Sequence, residues 1–204
     1  GAEVDDVGFL NALADKLIAE IGVDRGRVFA TGVSAGGFMS IRLALEAPSR
    51  FRAVAAVAAN VPVPENFKCT PVGQGTSVMI MNGTKDPLVP FEGGEVNLLG
   101  LFYKGGNVRS SRESGAYFAD RNQLTGMPDT KSTTVADGVR VEHVLWKSLP
   151  KNGGTNAEVE LVAIHGGGHG LPQPYWRGPR LLGPSPMAPD GPAMIWAFFA
   201  RQRP

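Results

Sequence analysis

An α/β fold with a mostly parallel sheet flanked by helices is what this sequence predicts. Two observations carry that reading. Short apolar runs of the kind that form buried strands, "RVFATGV", "FRAVAAVAAN", "SVMIMNG" and "AEVELVAIHG", are distributed along the chain instead of clustered in it. Helical patterns stand before, between and after them, so the order is helix, strand, helix, strand, loop, strand, long insertion, strand, helix. The 204 residues hold no internal repeat and no charged linker, and residues 1–204 are read as one domain with a full core.

Each element follows from its residues. Val7, Leu10, Leu13, Leu17, Ile18 and Ile21 recur at helical spacing, and Gly22 is a natural stop. The β-branched and aromatic run from Arg27 to Val33 predicts a strand, and Phe38 to Glu46 a helix that ends ahead of Pro48. "FRAVAAVAAN" is apolar nearly throughout, as a strand covered on both faces must be. The region from Phe91 to Ala157 is the least regular. It holds a helix near "RESGAYFADRNQL" and an inserted hairpin at "TTVADGVRVEHVLW", whose Asp137-Gly138 suits a two-residue turn. The closing "GPAMIWAFFAR" predicts a helix with Pro192 in its first turn.

Composition removes several function classes. A formal net charge of +1 with no long basic block argues against a nucleic-acid partner. No apolar run reaches the length of a membrane span, so no membrane association is expected. The opening "GAEVDDVGFL" has neither the basic start nor the apolar core of a leader peptide, as expected of a mature or trimmed chain. Cys69 stands alone, which excludes a disulfide within the chain. The 27 glycines and 16 prolines fall mostly between periodic segments and predict shaped loops on a rigid scaffold.

Gly32-Val33-Ser34-Ala35-Gly36 fits G-x-S-x-G at the junction of a predicted strand and helix. A serine there turns sharply, on strained backbone, and lifts its hydroxyl clear of the sheet. The positions two before and two after it are expected to crowd each other, which makes Gly32 and Gly36 the residues that fit. The Ala35 amide, at the positive end of the following helix, is placed to receive a developing oxyanion. The bland alternative is a glycine-softened turn, and a reactive serine needs a base and an orienting carboxylate to stand against it.

On such a sheet the expected chain order is serine, acid, histidine. All three histidines follow Ser34. His143 alternates with Val139, Val141 and Leu145 and reads as a sheet-face residue. His169, in the glycine-rich "AIHGGGHG" after the last predicted strand, is the candidate base, with His165 as the fallback. Asp86, just past "SVMIMNG", lies at another carboxyl strand end, where such sheets collect their sites. Its alternative is a turn carboxylate before Pro87. Asp120, Asp129, Asp137 and Asp190 read as solvated or capping. His165 and His169 have the spacing of helical metal ligands, but three glycines separate them and no acid completes a set. No metal and no cofactor are expected.

These residues together resemble the polyhydroxybutyrate depolymerase and feruloyl esterase group of α/β-hydrolases. The resemblance rests on "VDDVGFLNALADKL", "VDRGRVFATGVSAGGFMS", "NGTKDPLVPFEGG", "HVLW", "GGGHGLP" and the terminal "MIWAFFAR". It implies Ser34 as nucleophile, Asp86 as acid, His169 as base and a small carboxylic ester as substrate, with short-chain acyl, feruloyl, acetyl or hydroxyalkanoate esters all open. Phe102, Tyr103, Trp146, Tyr175 and Trp176 are candidates to line an acyl or aryl site; core or loop packing is the alternative for each, and for Trp146 above all. Export is implied by the resemblance alone.

One departure matters. In α/β-hydrolases several strands precede the nucleophile, and a loop after an early one donates a second oxyanion amide. Ser34 stands too early for those strands, so the expectation is a truncated α/β-hydrolase fold with an improvised second donor. It also makes the first strand a sheet edge, to be covered by a preceding domain or by a second copy of the chain in a homo-oligomer. Two rival functions stay open: a peptidase of the prolyl-oligopeptidase kind, and a catalytically weak binding or scaffold fragment.

Overall fold

The computed structural model describes residues 4–73, 75–97, 104–147 and 157–202. Phe102 and Tyr103 lie outside them. Helix α1 (Asp6–Ile21) starts on Asp5, whose Oδ1 accepts from the Gly8 amide, and stops at Gly22 with φ 73°. Then follow β1 (Phe29–Val33), α2 (Ala35–Glu46), β2 (Ala53–Val57), β3 (Ser77–Gly83) and a short ribbon of β4 (Gly94–Asn97) and β5 (Lys104–Val108). The chain continues through α3 (Ser111–Arg121), β6 (Asp129–Thr134), β7 (Arg140–Lys147), β8 (Glu158–Ile164) and α4 (Gly191–Arg201).

The main sheet has the order β1-β2-β3-β8-β7-β6. β1, β2, β3 and β8 run parallel, and the β6–β7 hairpin continues the sheet antiparallel. The mostly parallel sheet with flanking helices and an inserted hairpin expected from the sequence is the arrangement observed. The period of two along each strand sends successive side chains to opposite faces. Val54, Ala56, Val78, Ile80, Val159 and Leu161 meet one core with α2 and α3. Ala53, Ala55, Met79, Met81, Val162 and Ile164 meet a second core with Ile195, Phe198 and Phe199 of α4. Every residue of β2 and β3 is buried, which is why those two segments read as unbroken apolar runs.

Local differences from the sequence reading have local causes. Arg25–Arg27 form a 3-10 turn braced by Asp24, which accepts from the Gly26 amide, so the strand starts at Phe29 and not at Arg27. Helix α2 starts at Ala35 because its first turn is laid directly on the serine turn, glycines included. Helix α3 is set by a capping box between Ser110 and Glu113. The hairpin turn is longer than the two residues expected. Ala136–Gly138 form it, with φ 60° at Asp137 and 70° at Gly138, and the Val135 amide bonds the Val139 carbonyl across its base. Asp190 caps α4 through the Ala193 amide. No helix among the described residues is long and apolar enough to cross a membrane.

Candidate active site

Ser34 joins β1 to α2 with φ 56° and ψ −117°, in a backbone region that L-residues rarely adopt. Although it occupies the helix N-cap, its side chain caps no amide. The bend is held instead by the Ser34 amide, which donates to the Val57 carbonyl at 2.9 Å. Ser34 thus stands at the carboxyl end of the sheet with its hydroxyl free of the helix amides, and Ala35 supplies the first amide of α2.

Close approach explains the glycines, with one correction. A Cβ at Gly32 would lie 2.4 Å from the Gly36 carbonyl carbon, so Gly32 is required. At Gly36 a Cβ would meet nothing within 4 Å. The second crowded position is Gly37, where a Cβ would lie 2.6 Å from the Val57 oxygen and 2.8 Å from Ala59. Crowding acts one residue later than the motif suggests, because Gly37 faces β2 while Gly36 faces open space.

Asp86 divides its carboxylate. Oδ1 accepts from the Leu88 and Val89 amides at 2.8 and 2.9 Å, closing the turn after β3. Oδ2 lies 2.9 Å from His169 Nδ1, and the Asp86 side chain is wholly buried. An ionised carboxylate only accepts, so the proton is assigned to Nδ1 and the lone pair to Nε2. The histidine loop is tied down on both sides: Lys85 donates to the Gly167 carbonyl, and the His169 amide to Leu182 at 2.7 Å.

Ser34 and His169 line one cavity of about 550 Å³. Its other walls are mostly apolar side chains and glycine or proline backbone, including Leu88, Leu171, Pro172 and the segment 178–186. That suits an acyl or aryl group with few polar handles. Trp176 lines it, and Gln173 braces the loop beneath by accepting from the Tyr175 and Trp176 amides. Tyr175 is 87% exposed and does not line it. Trp146 does not reach it either. Its ring lies over Gly115 of α3, where an added Cβ would be 2.9 Å away. The Gly/Pro-rich wall at 178–186 carries no periodicity; its only trace in the sequence is its wealth of turn residues.

The other two histidines are engaged elsewhere. His143 Nδ1 is 2.8 Å from Glu160. His165 has Arg140 at 3.0 Å from Nδ1 and Glu142 at 3.3 Å from Nε2, so it is not the partner of Asp86. Among the described residues no group of three or more His, Cys, Asp or Glu could hold a metal ion.

Comparison with known proteins adds kinship. The model of the Prolyl oligopeptidase family matches residues 2–71. NocK of Nocardia uniformis subsp. tsuyamanensis, named as an esterase, is 42% identical over 43% of this chain and 25% of its own length. A protein of Aspergillus terreus named as a feruloyl esterase C is 27% identical over 96% of this chain and 57% of its own. Feruloyl esterase C of Emericella nidulans is 28% identical over 66% of this chain and 49% of its own. This chain therefore spans between a quarter and three-fifths of these relatives. Among solved structures, esterase PE8 superposes with a TM-score of 0.35 and 24% identity, over 41% of this chain and 38% of that one.

Proposed function

We propose, from the premise that this chain groups with the α/β-hydrolase esterases it resembles, that it is a serine carboxylic ester hydrolase working through an acyl-enzyme. The observation that carries the reading is the buried Asp86–His169 hydrogen bond at 2.9 Å, opening on the cavity that Ser34 lines. In this reading Nε2 of His169 takes the Ser34 proton as the hydroxyl oxygen attacks the ester carbonyl carbon. The same proton then goes to the departing alcohol, and Asp86 holds the imidazolium in line. Water repeats the sequence, releases the acid and restores the serine.

The Ala35 amide serves as one oxyanion donor. A second donor is expected from elsewhere, and its loss would cost about two to three powers of ten in rate. The substrate class is a small acyl or aryl ester, feruloyl, acetyl and hydroxyalkanoate esters included. Its support is the apolar cavity together with the named relatives. Export belongs to the same reading, on the resemblance alone, and cell fractionation checks it.

Hydrolysis of p-nitrophenyl butyrate, lost in Ser34→Ala along with labelling by a fluorophosphonate, is the expected result. Full turnover after Ser34→Ala sinks the reading. A prolyl-oligopeptidase-like peptidase is the second reading, favoured by the family match over residues 2–71. That stretch holds the serine turn but neither Asp86 nor His169. Cleavage of an aminoacyl-p-nitroanilide in preference to the ester would select it. Absence of both activities and of labelling would leave a binding or scaffold role.

A further inference from the structure

The segment 178–186 has two sides. One walls the cavity of Ser34 and His169, and the other walls a second cavity of about 500 Å³. Gly178, Gly183, Pro184, Ser185 and Pro186 line both. The second cavity adds Val139, His165, Gly166, Arg177 and Arg180. Arg177 and Arg180 are exposed, and among the described residues neither forms an ion pair.

Behind them stands more positive charge. Arg140 donates to His165 Nδ1 at 3.0 Å, which leaves the His165 proton on Nε2, toward Glu142. Glu142 is already countered by Arg112 at 2.7 Å. A chain of net charge +1 thus concentrates unanswered guanidinium groups in one cleft beside its ester cavity. Ser185 Oγ accepts from the Gly178 amide at 3.0 Å, so its own proton is free to donate.

We propose that this cleft is an anion subsite that holds a carboxylate carried on the alcohol portion of the ester, such as an acidic sugar bearing the acyl group. The proposal rests on the esterase reading of the neighbouring cavity. The apolar cavity suits the acyl or aryl group, which leaves the charged part of the molecule to the far side of the shared wall. Guanidinium forks match the two oxygens of a carboxylate, and Arg177 and Arg180 flank the Gly178-Pro179 corner from which both reach solvent.

The test uses trigalacturonate and its fully methyl-esterified form, with binding measured calorimetrically on Ser34→Ala so that no turnover is needed. Expected is a Kd for trigalacturonate about tenfold weaker in Arg177→Gln/Arg180→Gln and weaker again in 0.5 M salt, with Arg177→Lys/Arg180→Lys, which keeps the charge but not the fork, recovering only part of the affinity. The methylated trimer should not distinguish these proteins. Equal binding by the wild-type pair and the glutamine pair, or of the charged and methylated trimers, overturns the subsite. In the active enzyme, trigalacturonate should inhibit p-nitrophenyl butyrate hydrolysis; binding without inhibition overturns its link to the ester cavity. Loss of ester hydrolysis itself is read separately by the fluorophosphonate.

Discussion

His169 Nδ1 and Asp86 Oδ2 lie 2.9 Å apart with the carboxylate wholly buried, while the other oxygen of the same carboxylate fastens two backbone amides. One side chain thus shapes its own turn and orients the imidazole. The two roles separate by substitution. Asp86→Asn retains an oxygen for the Leu88 and Val89 amides but offers His169 the wrong hydrogen-bonding partner. Ester turnover is expected to fall by about four powers of ten, as for the equivalent change in a serine triad, with little change in thermal midpoint. Asp86→Ala should lose both, and it should lower the midpoint as well. Paired kinetics and thermal melts check this; an Asp86→Asn enzyme with near-normal kcat would show that Asp86 is a turn residue only.

The glycines around Ser34 give a sharper test of the serine turn. Gly32→Ala and Gly37→Ala each drive a Cβ into backbone at 2.4 to 2.6 Å, in a place where neither neighbour can yield. Both are expected to destabilise by about 1–3 kcal/mol or more, as overpacking does, and to displace the hydroxyl. Gly36→Ala meets open space and should fold normally. Chemical denaturation of the three variants ranks them. Loss of stability at Gly36 equal to that at Gly32 would contradict the geometry.

The same glycines show what was legible in the sequence. Asp86 and His169 could be singled out as candidates because each follows a strand whose burial on both faces writes a continuous apolar run. Ser34 follows the partly exposed β1 and was marked by its glycines instead. Which glycine is crowded was not visible, since the answer depends on the direction of α2 across β2. Trp146 was open to either reading because β7 alternates: Val144 and Trp146 face α3, Val141 the α4 side. The β4–β5 ribbon went unread because its residues are mostly exposed, glycine-rich and without alternation. The far wall at 178–186 is irregular backbone, and nothing in a period of 2 or 3.6 announces it.

Acid should loosen the end of α4. Burial alone would raise the Glu160 carboxyl, but hydrogen bonds from His143 at 2.8 Å and Arg201 at 2.7 Å outweigh it and hold its pKa below the ordinary range. A carboxylate depressed in the folded state stabilises fully above its unfolded value, near 4.3, and loses that contribution as pH falls through the folded one. Glu160→Gln, which cannot ionise, should melt below wild type at pH 7. The gap should narrow from about pH 4.3 downward. Circular-dichroism melts between pH 7 and pH 3 check it; a gap independent of pH would assign the effect to packing.

At the other end of the sheet, β1 has β2 on one side and, among the described residues, no strand on the other. An apolar groove of about 910 Å³ wraps this edge, with Leu13 and Leu17 of α1, Val33 and Trp196 on its walls; Val33 is 40% exposed and Trp196 63%. Unpaired amides beside exposed apolar side chains invite pairing with another chain. Alone in solution at micromolar concentration, the chain is expected to bind a hydrophobic dye and to associate beyond its 21.5 kDa mass in light scattering. Thr31→Lys, which places a charge on the exposed edge, and Trp196→Lys should each shift it toward monomer and dim the dye. A dilution-stable monomer with the wild-type edge would count against self-pairing.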